Sequence, residues 1–137
     1  MKNVFIDTNV LLDFFLNREG VEQARQILFQ GFNGTCALYV SSLAFSHLAY
    51  IMRKTAKGKA LYDILETLRE MVNIVSVDDM VIDNAIKQQA NDFEDAIQYF
   101  SAKKINADCI VTNNKRDFTF SQISVYSPKE FLAGFQI

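Results

Sequence analysis

The 137-residue sequence predicts an α/β fold of three layers, in which about seven helices flank a central parallel sheet of about five strands. Two patterns alternate along the chain: short apolar runs rich in β-branched and aromatic residues, and longer segments whose apolar residues recur every third or fourth position. Half of the residues are hydrophobic, which is enough to build a substantial core. This alternation is typical of a parallel sheet covered by helices on both faces.

The elements follow from the two patterns in chain order. Strands are predicted at residues 3–6, 36–40, 73–77, 108–112 and 123–126. Helices are predicted at residues 9–17, 20–32, 42–54, 58–71, 79–89, 92–104 and 128–134. Caps are expected from Ser41 or Ser42, from Asp78 or Asp79, and from Ser127 with Pro128 in the first helical position. Cys36 and Cys109 lie in strands and are expected to be core thiols, since they form no metal-binding pattern.

The composition limits the organisation and the classes of partner. One proline, five glycines and no low-complexity tract mark no linker, so residues 1–137 are predicted to form a single domain. With a net charge of −2, any nucleic acid is expected to be held locally rather than over a broad basic surface. An acid at position 7 interrupts any signal-peptide core, and no apolar run has the length of a membrane span. A cytoplasmic protein with no membrane partner is expected.

The first candidate site residue is Asp7, which ends the first predicted strand. In a parallel α/β sheet, ligands bind in the crevice beyond the carboxyl ends of the strands. Thr8 and Asn9 place a hydroxyl and an amide beside this carboxylate. The alternative is that Asp7, Thr8 or Asn9 only caps the following helix.

A second acidic cluster begins the sixth predicted helix. Asp92 and Asp95 are three positions apart, so both carboxylates are expected on one face near the positive helix end, with Glu94 pointing elsewhere. The spacing also permits a capping box, either Asn91 with Glu94 or Asp92 with Asp95. Capping explains one of these acids but hardly both.

The third cluster follows the fourth predicted strand, where Thr112, Asn113 and Asn114 are succeeded by Asp117. Three groups from distant sequence positions are thus predicted at one end of one sheet. Mutual repulsion among the carboxylates requires a cation, and oxygen ligands without a His/Cys set favour Mg²⁺ or Mn²⁺. Such a site suits the hydrolysis of a phosphodiester.

These motifs together resemble the PIN-domain family, the metal-dependent ribonucleases that include VapC-type toxins. The resemblance covers the whole chain and rests on three segments in order: Phe-Ile-Asp7-Thr8-Asn9, Asp92-Phe-Glu-Asp95-Ala, and Thr112-Asn113-Asn114-Lys-Arg-Asp117-Phe. It implies a PIN-like fold with an acidic cleft that holds Mg²⁺ or Mn²⁺ and activates water against an RNA phosphate. It also implies a homodimer and, for a toxin, an antitoxin protein as partner.

Site residues are assigned from this resemblance. Asp7 and Asp95 match metal ligands of the family, and Asp92 lines the same cleft. Asn114 falls where many members have a fourth acid, so Asn114 is expected among the catalytic and metal-binding residues, and Asn114 or Asp117 would complete or orient the ligand shell. The residues expected to orient the site are Thr8, Asn9 and Thr112.

One position departs from the family pattern. The family's second acid is typically a glutamate in the helix after strand two, and His47 occupies that position. No Asp or Glu occurs between Glu22 and Asp63, so a small register shift does not supply the carboxylate. A neutral imidazole is able to act as a base or to bind a transition metal, which makes His47 a candidate catalytic residue. A purely structural histidine is the alternative.

The remaining expectations concern RNA binding. Lys115 and Arg116 adjoin the predicted site and are the first candidates to bind substrate. Tyr50 and Tyr99 are assigned to the core rather than to stacking on bases, because they occur at helical spacing. The leading hypothesis is a ribonuclease, and the alternative is a catalytically impaired PIN-fold module that binds nucleic acid or protein. A receiver-like phosphotransfer domain fits less well, since paired acids after strand one and a well-placed lysine are missing.

Overall fold

A computed structural model describes residues 1–134 of the chain. Its strands are β1 (Asn3–Ile6), β2 (Ala37–Ser41), β3 (Asn73–Val75), β4 (Cys109–Val111) and β5 (Ser124–Tyr126). Its helices are α1 (Thr8–Phe15), α2 (Val21–Phe32), α3 (Leu43–Met52), α4 (Lys59–Met71), α5 (Asp79–Gln88), α6 (Phe93–Lys104) and α7 (Pro128–Gly134), with a 3₁₀ helix at Lys115–Phe118. The predicted fold class and elements are confirmed, and the ends differ by at most two residues.

The five strands form one parallel sheet in the order β3-β2-β1-β4-β5. β1 is central and is buried on both faces, because Val4 and Ile6 join one hydrophobic cluster while Phe5 joins the other. The chain winds outward from β1 through β2 to β3, and β4 and β5 lie on the opposite side. The order therefore changes direction between β1 and β4, which is where a parallel sheet opens a crevice at its carboxyl edge.

Helices cover both faces of the sheet. Apolar residues of α1, α2, α3, α4 and α7 pack in one cluster, and those of α6 and the 3₁₀ helix pack on the opposite face. Cys36 and Cys109 are buried free thiols, as expected, and burial raises the pKa of Cys109 to about 12. Tyr99 is buried as expected. The core assignment of Tyr50 is wrong, because the residue is 62% exposed and the Arg53 guanidinium lies 3.9 Å from the centre of its ring.

Two of the three expected helix caps are present. Asp78 Oδ1 accepts a backbone N–H in the first turn of α5, and Ser127 forms a reciprocal pair with Glu130 at the start of α7. The expected serine cap of α3 is wrong: Ser42 occupies the N-cap position, but its Oγ accepts the N–H of Val77 at 3.1 Å. The Val77 N–H follows β3 and lies outside the strand ladder, so the Ser42 hydroxyl serves as its acceptor.

No helix in residues 1–134 is long and apolar enough to cross a membrane.

Candidate functional site

Asp7 lies at the crevice between β1 and β4. Its backbone N–H donates to the Val111 carbonyl at 3.0 Å, which joins the ends of the two strands. Its side chain is only 7% exposed, and Oδ2 accepts the Thr112 hydroxyl at 2.8 Å. Thr112 Oγ1 also accepts the Asn114 N–H at 3.1 Å. Asp7 is thus the N-cap residue of α1 by position, and its carboxylate is bound by the Thr112 hydroxyl at the end of β4.

Thr8 connects α1 with α6. Its buried hydroxyl oxygen accepts a hydrogen bond of 3.0 Å from Gln98 Nε2, and Gln98 is itself only 3% exposed. Asn9, by contrast, is exposed. Sequence reasoning did not identify Gln98, although an amide between the core residues Ile97 and Tyr99 is an available signal. This bond fixes the start of α1 against α6, where the second acidic cluster lies.

Asp92 and Asp95 differ in environment although they begin the same helix. Asp92 Oδ1 accepts the N–H of Glu94 at 2.9 Å, so the capping alternative holds for Asp92. Burial raises the pKa of Asp95 from its ordinary 3.8 to about 7, and the charges of Asp92, Asp117, Asp7 and Glu94 add to this rise. Burial and all four neighbouring carboxylates raise the pKa of Asp95, and no positively charged side chain within residues 1–134 lowers it.

The pKa of Asp7 is raised as well. Burial is the main cause, and the charges of Glu94 and Asp117 contribute to it. Hydrogen bonds from the Thr112 hydroxyl and the Thr8 N–H oppose the rise. The charges of three other aspartates raise the pKa of Asp95. We therefore call these four residues together the acidic cleft: Asp7, Asp92, Asp95 and Asp117.

The 3₁₀ helix forms the other wall of this cleft. Asn114 Nδ2 donates to Asp117 Oδ2 at 2.8 Å, so the amide holds the carboxylate. Arg116 lines the cleft together with Asp117, whereas Lys115 pairs with Glu130 on α7 at 3.0 Å. Three of the four acids, Asp92, Asp95 and Asp117, line a cavity of about 220 Å³ together with Asn91, Arg116 and Phe120. Asp7 is not among the residues that line this cavity.

His47 contacts α6 and not the centre of the acidic cleft. Its Nδ1 lies 3.0 Å from Glu94 Oε1, although the two atoms lack the alignment of a hydrogen bond. As expected, Glu94 points away from the cavity lined by Asp92 and Asp95, and it lines the groove between α3 and α6 together with His47. Its charge nevertheless contributes to the raised pKa of both Asp7 and Asp95.

The side chains of the acidic cleft offer oxygen donors for a divalent cation. Within residues 1–134, no three acid, histidine or cysteine side chains stand ready-made to hold a metal ion. Mg²⁺ needs no such cage, because it keeps several waters and is commonly bound through one or two carboxylates. The donors here are carboxylate and amide oxygens, and the raised pKa of Asp95 reports uncompensated negative charge. The chemistry of these residues fits Mg²⁺ or Mn²⁺.

The chain is a parallel α/β protein with an acidic cleft between β1 and β4, where the strand order changes direction. The PIN domain family matches residues 3–116. The chain is also 31% identical over 140 residues to Ribonuclease VapC1 of Aquifex aeolicus (strain VF5), covering 95% of this chain and 93% of that one. The chain belongs to the PIN domain family.

Solved structures share the fold. VapBC2 from Rickettsia felis bound to a DNA fragment from their promoter has a TM-score of 0.69 at 15% identity, covering 90% of this chain and 96% of that one. A toxin–antitoxin complex from Klebsiella pneumoniae has a TM-score of 0.65 at 20% identity, with coverages of 91% and 97%. At these identities the likeness is one of fold.

Proposed function

We propose that this chain is a divalent-metal-dependent endoribonuclease that hydrolyses RNA phosphodiester bonds in its acidic cleft. The observation that supports it most directly is the pKa of Asp95, which burial and four neighbouring carboxylates raise to about 7. Concentrated negative charge at a sheet switch point favours cation binding. The similarity to a ribonuclease supports RNA as the substrate.

Each residue has a role in this proposal. Asp7 and Asp95 would hold the cation, and Asp92 and Asp117 would contribute further carboxylates. Thr112 fixes Asp7 through its 2.8 Å hydrogen bond, and Asn114 fixes Asp117. When bound, Mg²⁺ or Mn²⁺ lowers the pKa of water and stabilises the charge that develops on the phosphate.

Cations beside the cleft hold the RNA backbone. Arg116 lines the cavity beside Asp117, so its guanidinium is available there to bind a phosphate. Lys115 must leave Glu130 in order to contribute. The net charge of −2 limits binding to this neighbourhood.

We extend the proposal to the partners. The chain acts as the toxin of a toxin–antitoxin pair in the cytoplasm, where an antitoxin protein covers the cleft, and it pairs into a homodimer. The similarity of its fold to a toxin–antitoxin complex supports an antitoxin. Size-exclusion chromatography with light scattering tests the dimer, and a monomer at micromolar concentration contradicts it.

The function is tested by cleavage of structured and single-stranded RNA with Mg²⁺ or Mn²⁺. Wild type is compared with Asp7→Asn, Asp95→Asn and the control Asp63→Asn, which removes an exposed carboxylate on α4. We expect the first two variants to lose cleavage and the control to retain it. Equal cleavage by all four proteins contradicts the proposal.

A second function is favoured by one observation: α3 has no acid, and His47 stands there instead. On this hypothesis the chain is a PIN-fold module that binds RNA or protein without cutting. RNA binding that persists in Mn²⁺ with no cleavage by wild type supports it.

A further inference from the structure

The groove between α3 and α6 is separate from the cavity that Asp92 and Asp95 line. It has a volume of about 420 Å³, which lies within the range of small-molecule pockets, roughly 300–1,000 Å³. Phe93 and Glu94 line it and stand between the two aspartates in the chain, so groove and cleft share the first turn of α6. The lining includes Leu43, His47, Tyr50, Phe93, Glu94 and Gln98.

Three large apolar side chains of this groove are exposed. Leu43 is 43% exposed, Phe93 is 47% exposed and Tyr50 is 62% exposed. Single exposed apolar residues are common on protein surfaces, whereas several that line one groove mark a binding surface. Two of the three are aromatic, and aromatic rings stack on the unpaired bases of RNA. The groove therefore offers the surface that an unpaired base requires.

The Tyr50 ring is held in place by the residue that follows α3. The Arg53 guanidinium lies 3.9 Å from the ring centre, and Arg53 Nη1 donates to the Tyr50 carbonyl at 2.6 Å. This contact restricts the ring before any ligand arrives, which lowers the entropy lost on binding. Tyr50 remains largely exposed despite the contact, so ring surface is left for stacking. The guanidinium also supplies a positive charge for the backbone of a bound nucleotide.

The floor of the groove contains a hydrogen-bond acceptor without a partner. Gln98 lines the groove and is only 3% exposed, and within residues 1–134 its Oε1 is buried without a hydrogen-bond partner. Its Nε2 donates to the Thr8 hydroxyl at 3.0 Å, which leaves Oε1 as the free end of the amide. An unsatisfied buried acceptor is unfavourable, and a ligand that brings an N–H group relieves it.

The polar groups of the groove suit a base better than a phosphate. The Glu94 side chain is 53% exposed, and its carboxylate repels a phosphate but accepts N–H groups. Gln98 Oε1 is a second acceptor. Guanine presents its N1–H and its amino group side by side on one edge, whereas uracil presents a single N–H there. A groove that offers acceptors therefore favours guanine.

We propose that this groove binds one unpaired guanine of the RNA, next to the phosphate that the acidic cleft cleaves. Tyr50 and Phe93 stack on the base. Gln98 Oε1 and the Glu94 carboxylate accept its N–H groups. The inference rests on the proposed ribonuclease function and specifies the substrate of that site as single-stranded RNA. Because α6 carries Asp95 as well as one wall of the groove, the phosphate and the base belong to neighbouring nucleotides of one strand.

The first experiment measures RNA binding by fluorescence anisotropy. The probe is an end-labelled uridine oligonucleotide with one central guanosine, and EDTA removes divalent cations so that the RNA is not cleaved. Tyr50→Ala is compared with Tyr62→Ala, which removes a similarly exposed ring from α4. We expect Tyr50→Ala to weaken binding about 10-fold and Tyr62→Ala to bind as wild type does. Equal affinity of the two variants overturns the inference.

A conservative variant tests stacking itself. Tyr50→Phe keeps the ring and its contact with the Arg53 guanidinium, so it is expected to retain most of the affinity that Tyr50→Ala loses. An equal loss in both variants overturns the stacking role of Tyr50.

The second experiment changes the RNA rather than the protein. Inosine replaces the central guanosine and lacks only the amino group. We expect the inosine strand to bind wild type about 5-fold more weakly, because a hydrogen bond to the groove is lost. An all-uridine strand is expected to bind no more tightly than the inosine strand. Equal affinity for the guanosine and inosine strands overturns the selection of guanine.

A third comparison separates this inference from the proposed function. If wild type cleaves RNA with Mg²⁺ or Mn²⁺ and Tyr50→Ala binds and cleaves equally well, only the role of the groove is overturned. If wild type neither binds nor cleaves RNA, the proposed function fails and the inference fails with it. If light scattering shows that Tyr50→Ala changes the mass of the protein in solution but not its RNA affinity, the groove is an interface between two copies of the chain, and the inference is overturned.

Discussion

Two buried aspartates near the end of β4 lie in different surroundings. Asp7 accepts the Thr112 hydroxyl at 2.8 Å, and Asp13 accepts Asn113 Nδ2 at 2.7 Å, so adjacent residues bond to different acids. Asp13 lines a cavity of about 530 Å³, larger than the acidic cleft of about 220 Å³. Arg18, Glu19 and Lys129 give that cavity mixed charges.

The difference teaches that cavity size does not identify the site. Asp13 is a single carboxylate with an amide donor, and opposite charges line its cavity. Asp7 adjoins several other carboxylates, and burial with their repulsion raises the pKa of Asp95 to about 7. Carboxylates held together at a cost to their ionised forms are the stronger indication of function.

The largest effect is expected when Asp7 is replaced by asparagine, with the same replacement of the other buried aspartate, Asp13, as the control. Asp7→Asn removes a metal-binding charge and should lower the RNA cleavage rate roughly 100-fold or more. Asp13→Asn keeps an acceptor for Asn113 and should cleave nearly as wild type does. Single-turnover rates measure both, and a comparable loss in Asp13→Asn breaks the comparison.

Substitutions of the two hydrogen-bond donors, Thr112 and Asn113, should distinguish an effect on cleavage from an effect on stability. Thr112→Val removes the hydroxyl bound to Asp7 and should cost about 1–3 kcal/mol of stability together with a loss of cleavage. Asn113→Ala leaves Asp13 without its amide donor and should cost a similar amount of stability, while the folded protein still cleaves.

Urea unfolding and cleavage rates are measured on the same preparations. Thr112→Ser keeps the hydroxyl and is the matched control. If Thr112→Val cleaves as fast as Thr112→Ser, the hydroxyl does not position Asp7.

The pH dependence of stability sharpens the contrast further. The folded pKa of Asp95 is about 7 against an ordinary 3.8, so the folded state retains a proton that the unfolded state loses between these values. Metal-free wild type should therefore lose stability as the pH rises from 3.8 to 7. Because Asp95 is partly exposed, the effect is on the order of 1 kcal/mol.

Asp95→Asn should remove this loss and raise the melting temperature by about 4 °C near neutral pH, with no gain near pH 4. Asp13→Asn serves as the control. Added Mg²⁺ should stabilise wild type but not Asp95→Asn. Differential scanning calorimetry across the pH range measures these shifts, and parallel curves for wild type and Asp95→Asn contradict the prediction.

The smallest effect concerns the two adjacent cations. Arg116→Ala should raise the KM for RNA by roughly a few-fold and reduce its salt dependence, because Arg116 lines the cleft. Lys115→Ala should change KM less, since its ammonium is paired with Glu130. Cleavage measured at several salt concentrations distinguishes them, and a larger effect of Lys115→Ala reverses the assignment.

Much of the fold was readable because strands and helices have different hydrophobic periods. Asp7 followed from its place at a strand end, and Asp92 and Asp95 from their spacing at a helix start. The predictions for Tyr50 and Ser42 were wrong because both depend on which other element packs beside the residue. Helical spacing does not say which face meets another element, and a serine at a helix start bonds to whichever amide lies nearest.

The sequence by itself determined the parallel α/β architecture and the acids at its carboxyl edge, because local patterns fix where strands end and helices begin. Only the tertiary structure decided that Thr112 bonds to Asp7, that Gln98 joins Thr8, and that Glu94 meets His47. These pairs join residues far apart in the chain, so sequence spacing does not encode them. Burial produced by that packing also raises the pKa of Asp95, which no local pattern reveals.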